Sequence, residues 1–331
     1  MTFHRDISCT VPSFSLEMGG DSGVVEVGCC LWGSLSKPLH VVMGGISADR
    51  WAFDVPGERQ GWWRVVAHDQ AVLNTRDSAF LTFDYFCFPE RVTNPPVLTP
   101  ADQAQLLRGI QHTLQLPQFH AVIGSSFGGM VSLAFAARYP DALQQLICLA
   151  AADQNSVKSQ AIRYLQRQLV QLGEASSSQG EHLKLARALA MIGYRGEQEF
   201  EHRFQSQQPG EALQQVSAYL NHHGEQFASR FPAHRYQQLS RAIDHHQVDV
   251  SYICVPTLLI GFDSDQMVPV NFIEQLHSKL NAPAELHILE SLYGHDGFLL
   301  EADTINSIFH SFLSEYRYDL IERNSRCAGG Y

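Results

Sequence analysis

Residues 120–140 read HAVIGSSFGGMVSLAFAARYP. The apolar run HAVI enters Gly124-Ser125-Ser126-Phe127-Gly128, a G-x-S-x-G element followed at once by Gly129. A small-residue helical pattern leaves it and stops before Pro140. A strand running through a tight turn into a helix holds the middle serine on a strained backbone with its hydroxyl exposed. The flanking glycines are required because any side chain there would meet the neighbouring strand or helix. The hydroxyl of Ser126 then lies near a helix N-terminus, whose partial positive charge favours a developing anion. Ser125 is the rival nucleophile but precedes the centre of the turn by one residue. A nucleotide-binding glycine turn is the other reading of this stretch, and GSSFGG lacks the G-x-G-x-x-G spacing it needs.

The same rhythm extends in both directions. Short apolar runs at 24–32, 39–45, 80–86, 120–126, 145–151, 256–262 and 285–290 read as strands. Helical patterns lie between them, including 100–116, with Leu106, Leu107, Ile110 and Leu114 on one face, and 271–280 and 304–316. Strands alternating with helices imply a mostly parallel sheet covered on both faces. From about Val157 to His246 no strand is legible, and four segments (157–173, 181–193, 211–224 and 233–246) read as amphipathic helices. An all-helical block of this size predicts a cap, or lid, over the carboxyl edge of the sheet, where such sheets bind ligands. The expected organisation is a core over 1–155, a cap over 156–248, the remainder of the core over 249–318, and a loose tail over 319–331.

A serine needs a base to become nucleophilic and an acid to orient that base. On the α/β-hydrolase fold these follow in the order serine, acid, histidine. Asp263 and Asp265 both follow the strand-like PTLLIGF (256–262). Asp265 is preferred because it precedes Met-Val-Pro, the turn into the next helix; for either, a helix N-cap is the plainer role. His295 lies in Tyr293-Gly294-His295-Asp296-Gly297, after the last strand. Of 16 histidines it alone has that placement and glycine neighbours. His222–His223 and His245–His246 are adjacent pairs in helical stretches, and neighbours on a helix do not face one point, so no metal site is expected. An oxyanion hole needs two backbone N–H donors. Phe127 supplies one, and Ile46, with Gly45 as alternative, the other, from the loop Met43-Gly44-Gly45-Ile46-Ser47.

Composition bounds what such a site can serve. The 331 residues are 45% hydrophobic and 17% charged, enough apolar material for a packed core. Lys plus Arg is 23 against 34 Asp plus Glu, a net charge of -11, which argues against a nucleic-acid partner. No apolar run reaches the ~18–20 residues of a spanning helix, so no membrane partner is expected. The N-terminus lacks a secretory pattern. Seven cysteines without a C-x-x-C pair read as free thiols of a reducing cytoplasm.

Several segments narrow the class further. The sequence resembles the homoserine O-acyltransferase family over most of its length. FSLEMGGDSGVVEVGCCLWGSLS resembles that family's N-terminal hairpin, and GWW (61–63) with LNTRDSAFLTFDYF its next segment. GSSFGGMVSLAFAARYP resembles its nucleophile turn. ALQQVSAYLNHHGEQFASRFPAHRYQQLSRAIDHH is similar to a long cap stretch, and DSDQMVP and YGHDGFLLE to the acid and histidine loops. The resemblance implies an α/β-hydrolase fold with a helical cap. It implies acyl transfer from acyl-CoA to the hydroxyl of L-homoserine, in methionine biosynthesis, through an acyl-serine on Ser126. It further implies Arg187 for the acceptor's carboxylate, with Tyr194 two helical turns on, and Asp296 for its amine. Acyl-CoA is a co-substrate, no other cofactor is expected, and the family pairs as homodimers through its cap helices.

Two segments depart from the family. MGGIS stands where a His-Ala-Leu-Thr-Gly-like stretch is usual, and FCFPERVTNPPVLTP replaces a longer glycine-rich loop. A succinyl donor carries a carboxylate that would be costly to bury without a cation. Arg50, four residues after Ile46, is the candidate contact, with Arg195 as another, so succinyl-CoA is the expected donor. Asp49 or Asp54 is the expected partner if Arg50 is instead a surface charge. A serine O-acyltransferase or an esterase with the same three residues is the rival reading.

Overall fold

A computed structural model describes residues 4–174, 179–208 and 210–327. Eight strands form one sheet: β1 His4–Val11, β2 Val25–Trp32, β3 Leu39–Met43, β4 Ala79–Phe83, β5 Ala121–Ser125, β6 Leu146–Leu149, β7 Thr257–Phe262 and β8 Ala284–Leu289. Their order is β1-β2-β4-β3-β5-β6-β7-β8. β1, β2 and β4 pair antiparallel, and the run from β4 to β8 is parallel. This is the α/β-hydrolase fold, and the expected mostly parallel sheet is present.

Alternation along the strands explains the layers. Val41, Val122, Leu146 and Leu259 enter a core on one face; Val42, Ile123, Ile147 and Ile260 enter the core on the other. Successive side chains of a strand point to opposite faces, so a parallel strand covered on both sides must be apolar at every position. The first face is covered by α1 (Pro100–Thr113), α2 (Phe127–Arg138) and Ile273 and Leu276 of a helix over Val270–Lys279. The second is covered by the segment around Trp63 and by Phe309 and Phe312 of the C-terminal helix. Trp63 Nε1 donates to the Phe298 carbonyl at 2.9 Å, anchoring GWW beneath the chain that follows His295.

The middle block is helical among its described residues: α3 Val157–Glu174, α4 Gln179–Tyr194, α5 Glu197–Phe204, α6 Glu211–Ala228 and α7 Ala233–Asp244. Val170, Leu183, Ala186, Phe227 and Tyr236 form its own small core, and Ile46 of the sheet domain packs against it. α8 is the helix Val270–Lys279, α9 is Gly297–Leu300 and α10 is Ala302–Cys327. The backbone thus stays helical to Cys327, beyond the point after Tyr318 where a loose tail is expected; residues 328–331 lie outside the described residues. The N-terminal hairpin also differs from expectation. Its first arm is β1, upstream of Phe14, and β1 buries only Cys9 and Val11 fully, so no apolar run marks it. Cys9, Cys29, Cys30 and Cys148 are buried free thiols, Cys87 is half-buried and Cys254 is exposed. Burial pushes the Cys148 thiol up to about 12. No described helix is long and apolar enough to cross a membrane.

Candidate active site

The parallel arrangement brings the loops after β3, β5, β7 and β8 to one edge of the sheet. Ser126 directly follows β5 and is the N-cap residue of α2, with φ 54 and ψ -120. A non-glycine residue holds such a backbone only where its surroundings impose it. Here they do. A Cβ on Gly124 would run into the Gly128 carbonyl, and one on Gly128 into the Met43 carbonyl, so helix and strands approach too closely for any other residue. Ser126 N–H donates to Leu149 O at 2.9 Å and its carbonyl accepts from Met130 N–H at 3.1 Å, fixing the turn from both ends.

His295 Nε2 lies 2.7 Å from Ser126 Oγ, and its Nδ1 lies 2.7 Å from Asp265 Oδ2. Asp265 Oδ1 accepts from Met267 N–H at 2.7 Å and Val268 N–H at 3.0 Å, so both carboxylate oxygens are committed. Asp263 does a different job: it accepts from Ser291 N–H at 3.0 Å. Ser264 Oγ donates to the Ser291 carbonyl and accepts from Gly294 N–H at 3.0 Å. Asp263 and Ser264 thus pin the loop that carries His295. Burial alone would lower the His295 pKa, but the charge and hydrogen bond of Asp265 outweigh it, and the net shift is upward. Ser125, the rival nucleophile, is fully buried, its hydroxyl turned to Met43 O at 3.5 Å.

The loop after β3 faces this relay: a Cβ on Gly45 would stand 4.0 Å from Ser126 Oγ. Neither Ile46 N–H nor Phe127 N–H has a main-chain acceptor among the described hydrogen bonds.

The alpha/beta hydrolase fold family matches residues 90–302. The homoserine O-succinyltransferase of Xanthomonas campestris pv. campestris is 31% identical over 289 residues, spanning 86% of this chain and 77% of that one. The homoserine O-acetyltransferase of Trichormus variabilis is 29% identical over 339 residues, 90% of this chain and 91% of that one. The crystal structure of homoserine O-acetyltransferase from Bacillus anthracis superposes with a TM-score of 0.85 at 17% identity, covering 95% of this chain and 98% of that one, a likeness of fold. The chain belongs to the homoserine O-acyltransferase family.

The residues that the family resemblance singles out lie around His295. The Tyr194 ring is 5.6 Å from the His295 ring. The Arg187 guanidinium stands 5.4 Å from the Tyr194 ring and 5.0 Å from the Phe227 ring. Asp296 is paired with Arg195 Nε at 3.3 Å. Burial raises the Asp296 carboxyl, and Arg195, Arg187 and His295 pull it back in part.

Arg50 is a correction. It is not held beside Ser126 as a free cation: Nε meets Asp6 Oδ1 at 2.7 Å and Nη1 meets Asp84 Oδ2 at 2.5 Å, while its N–H donates to Asp84 Oδ1 at 2.9 Å. Two carboxylates of the outer strands and the chain after β4 claim the guanidinium, which lies over Gly28. These partners also replace Asp49 and Asp54. Asp49 faces Arg59 at 3.5 Å, and Asp54 accepts from Gly61 N–H at 2.8 Å. The loop-holding roles of Asp263 and Ser264 have no signal in the sequence. An Asp-Ser-Asp run signals a loop, but only the fold says which aspartate faces the histidine.

Proposed function

We propose that the protein is a homoserine O-acyltransferase working by acyl transfer through Ser126. His295 Nε2 takes the Ser126 proton as Oγ attacks the thioester carbonyl of acyl-CoA, and the C–O bond forms. The anion on the former carbonyl oxygen is held by Phe127 N–H and Ile46 N–H. The C–S bond breaks, the CoA sulfur leaves with the proton from His295, and an acyl-serine remains. The homoserine hydroxyl then gives its proton to His295 and attacks the acyl carbon; the Ser126 C–O bond breaks and the proton returns to Oγ. Asp265 keeps the imidazole in the tautomer with Nδ1–H and steadies its charged form. Arg187 takes the acceptor's carboxylate as a planar fork, and Asp296 its amine.

The observation that carries this reading is the unbroken relay of two 2.7 Å contacts beneath the cap. The cap supports transfer over hydrolysis, because an acyl-serine must be kept from water until the acceptor arrives. Succinyl-CoA is our proposed donor. Its support is the 31% identity to the Xanthomonas succinyltransferase; Arg195, which pairs with Asp296 at 3.3 Å, would have to exchange that partner to take the donor's carboxylate. The reaction needs no resident cofactor, belongs to methionine biosynthesis and takes place in the cytoplasm. The active form is a homodimer joined by cap helices, with no nucleic-acid or membrane partner.

The test is a matrix of succinyl-CoA and acetyl-CoA against homoserine, serine and water. Acyl-homoserine formed fastest from succinyl-CoA, and lost in Ser126→Ala, is the expected result. Faster turnover of acetyl-CoA overturns the donor, acyl-serine amino acid as main product overturns the acceptor, and free acid as main product makes the protein an esterase.

A further inference from the structure

Tyr85 lies just after β4, buried at 3% exposure, and its hydroxyl donates to the Gly44 carbonyl at 2.6 Å. The same carbonyl accepts from Gly128 N–H, in the first turn of α2, at 2.9 Å. A peptide unit is planar and trans, so a carbonyl fixed from two sides fixes the N–H at its far end in the opposite direction. That N–H belongs to Gly45, on which a Cβ would stand 4.0 Å from Ser126 Oγ, and Ile46 follows directly. The Tyr85 ring also meets Phe127 edge-on at 4.9 Å, and Phe127 carries the other N–H of the hole. One side chain therefore meets the ring of one donor residue, Phe127, and holds the peptide unit directly before that of the other donor, Ile46, without touching the reacting atoms.

Tyr85 is itself held from behind. Its carbonyl accepts from Arg235 Nη2 at 3.0 Å. Phe86 exchanges two hydrogen bonds with the Gln103 amide of α1, at 2.9 and 2.8 Å. Phe88 does the same with Gln238 of α7, at 2.9 and 2.8 Å. Four residues of otherwise irregular chain are thus strapped to a core helix on one side and to a cap helix on the other. Such exchanges satisfy the backbone as a strand partner would.

We propose that Tyr85 is a positioning residue that sets the oxyanion hole, and that the strap over residues 85–88 lets cap helix α7 hold it in register. The inference rests on Ser126 being the acylated residue. It does not depend on which acyl donor or acceptor is used.

The test reads Ser126 chemistry directly, as p-nitrophenol released from p-nitrophenyl acetate, alongside binding of a boronic acid, which forms a tetrahedral anion on a reactive serine. Removing a direct oxyanion donor costs about 100- to 1,000-fold, so loss of its support in Tyr85→Phe should cost about 10- to 100-fold in kcat/KM. Boronate affinity should fall by the same factor, while CoA affinity and the pH midpoint of the rate stay as in the wild type. A Tyr85→Phe enzyme of wild-type rate and boronate affinity overturns the proposal. So does a loss shared equally by CoA binding, which would mark general damage. Should Tyr85→Phe fail to fold, Gln238→Ala decides, because it loosens only the strap. A parallel loss of rate and boronate affinity, about threefold or more, supports the proposal and wild-type values for both overturn it. Failure of the underlying reading is separately visible, since Ser126→Ala would then keep releasing p-nitrophenol.

Discussion

At the scale of residues, the two aspartates after β7 are separated by what accepts their charge. Asp265 holds the imidazole, and Asp263 holds the loop on which the imidazole sits. Asp265→Asn should lower kcat by about 1,000- to 10,000-fold, because an amide cannot fix the same tautomer or steady the imidazolium. Asp263→Asn keeps an acceptor for Ser291 N–H and should lose about tenfold or less. Steady-state kinetics on the two variants checks the ranking. The raised pKa of His295 also sets a pH dependence. Only the neutral imidazole takes the serine proton, so kcat/KM rises with pH through that pKa, with a midpoint above the ordinary 6.5. Removing the carboxylate removes the cause of the rise, and the midpoint of Asp265→Asn should move down. Arg50 makes the contrasting case. Its ion pairs with Asp6 and Asp84 are partly exposed, so Arg50→Met should lower the thermal midpoint by about 2 °C. The succinyl-to-acetyl rate ratio should stay within about twofold. A large change in that ratio would restore Arg50 as a donor contact. Nothing in the sequence could have paired Arg50 with Asp6, 44 residues away on an edge strand.

At the scale of elements, legibility follows burial. The inner strands β3 to β7 are buried on both faces, and each shows as an apolar stretch near its observed bounds, whereas β8 at the far edge is half-buried throughout. β1 sits at the sheet edge with mixed burial and left no such mark. α5 carries no legible pattern either, because EQEFEHRF is short, polar and buried only at Glu199 and Phe204. The turn into α2 was legible because its chemistry is local: glycines at 124, 128 and 129 around one serine. The strap over 85–88 was not, since its partners come from α1 and α7 and are side-chain amides rather than a pattern. The glycine constraint yields a prediction about packing. Gly128→Ala puts a methyl into the Met43 carbonyl and must push α2 away from β3, costing about 1–3 kcal/mol. Because Gly128 N–H also holds the Gly44 carbonyl, that shift opens the oxyanion site. Activity should therefore fall by far more than the folded fraction does at 25 °C. Urea denaturation beside kcat separates the two losses; equal losses would mean that the turn matters for stability alone.

At the scale of the whole molecule, the cap has two faces with different demands. Its inner face packs Val170, Phe227 and Tyr236 together and meets Ile46 of the loop after β3. Its outer face leaves apolar side chains in solvent. On α3, Val157, Tyr164, Leu165 and Leu172 are exposed, Leu172 by 62%. The spacings 157 to 164 and 165 to 172 are each seven residues, so these side chains form two neighbouring rows along the helix, about 100° apart. Leu185 and Ile192 of α4 are likewise exposed and seven apart. A partner helix could cover these rows, and each leucine buried there would contribute about 1.5–3 kcal/mol. A second copy of the chain is the occupant proposed above. Wild-type protein should then scatter light as twice the 37.0 kDa chain. Leu165→Glu with Leu172→Glu would place two unpaired carboxylates in the contact and should give a species of single-chain mass. Its melting behaviour should show no loss of the cap's own core, because neither side chain belongs to it. A wild-type protein of single-chain mass removes the dimer. A double variant that keeps twice that mass moves the contact from α3 to another face.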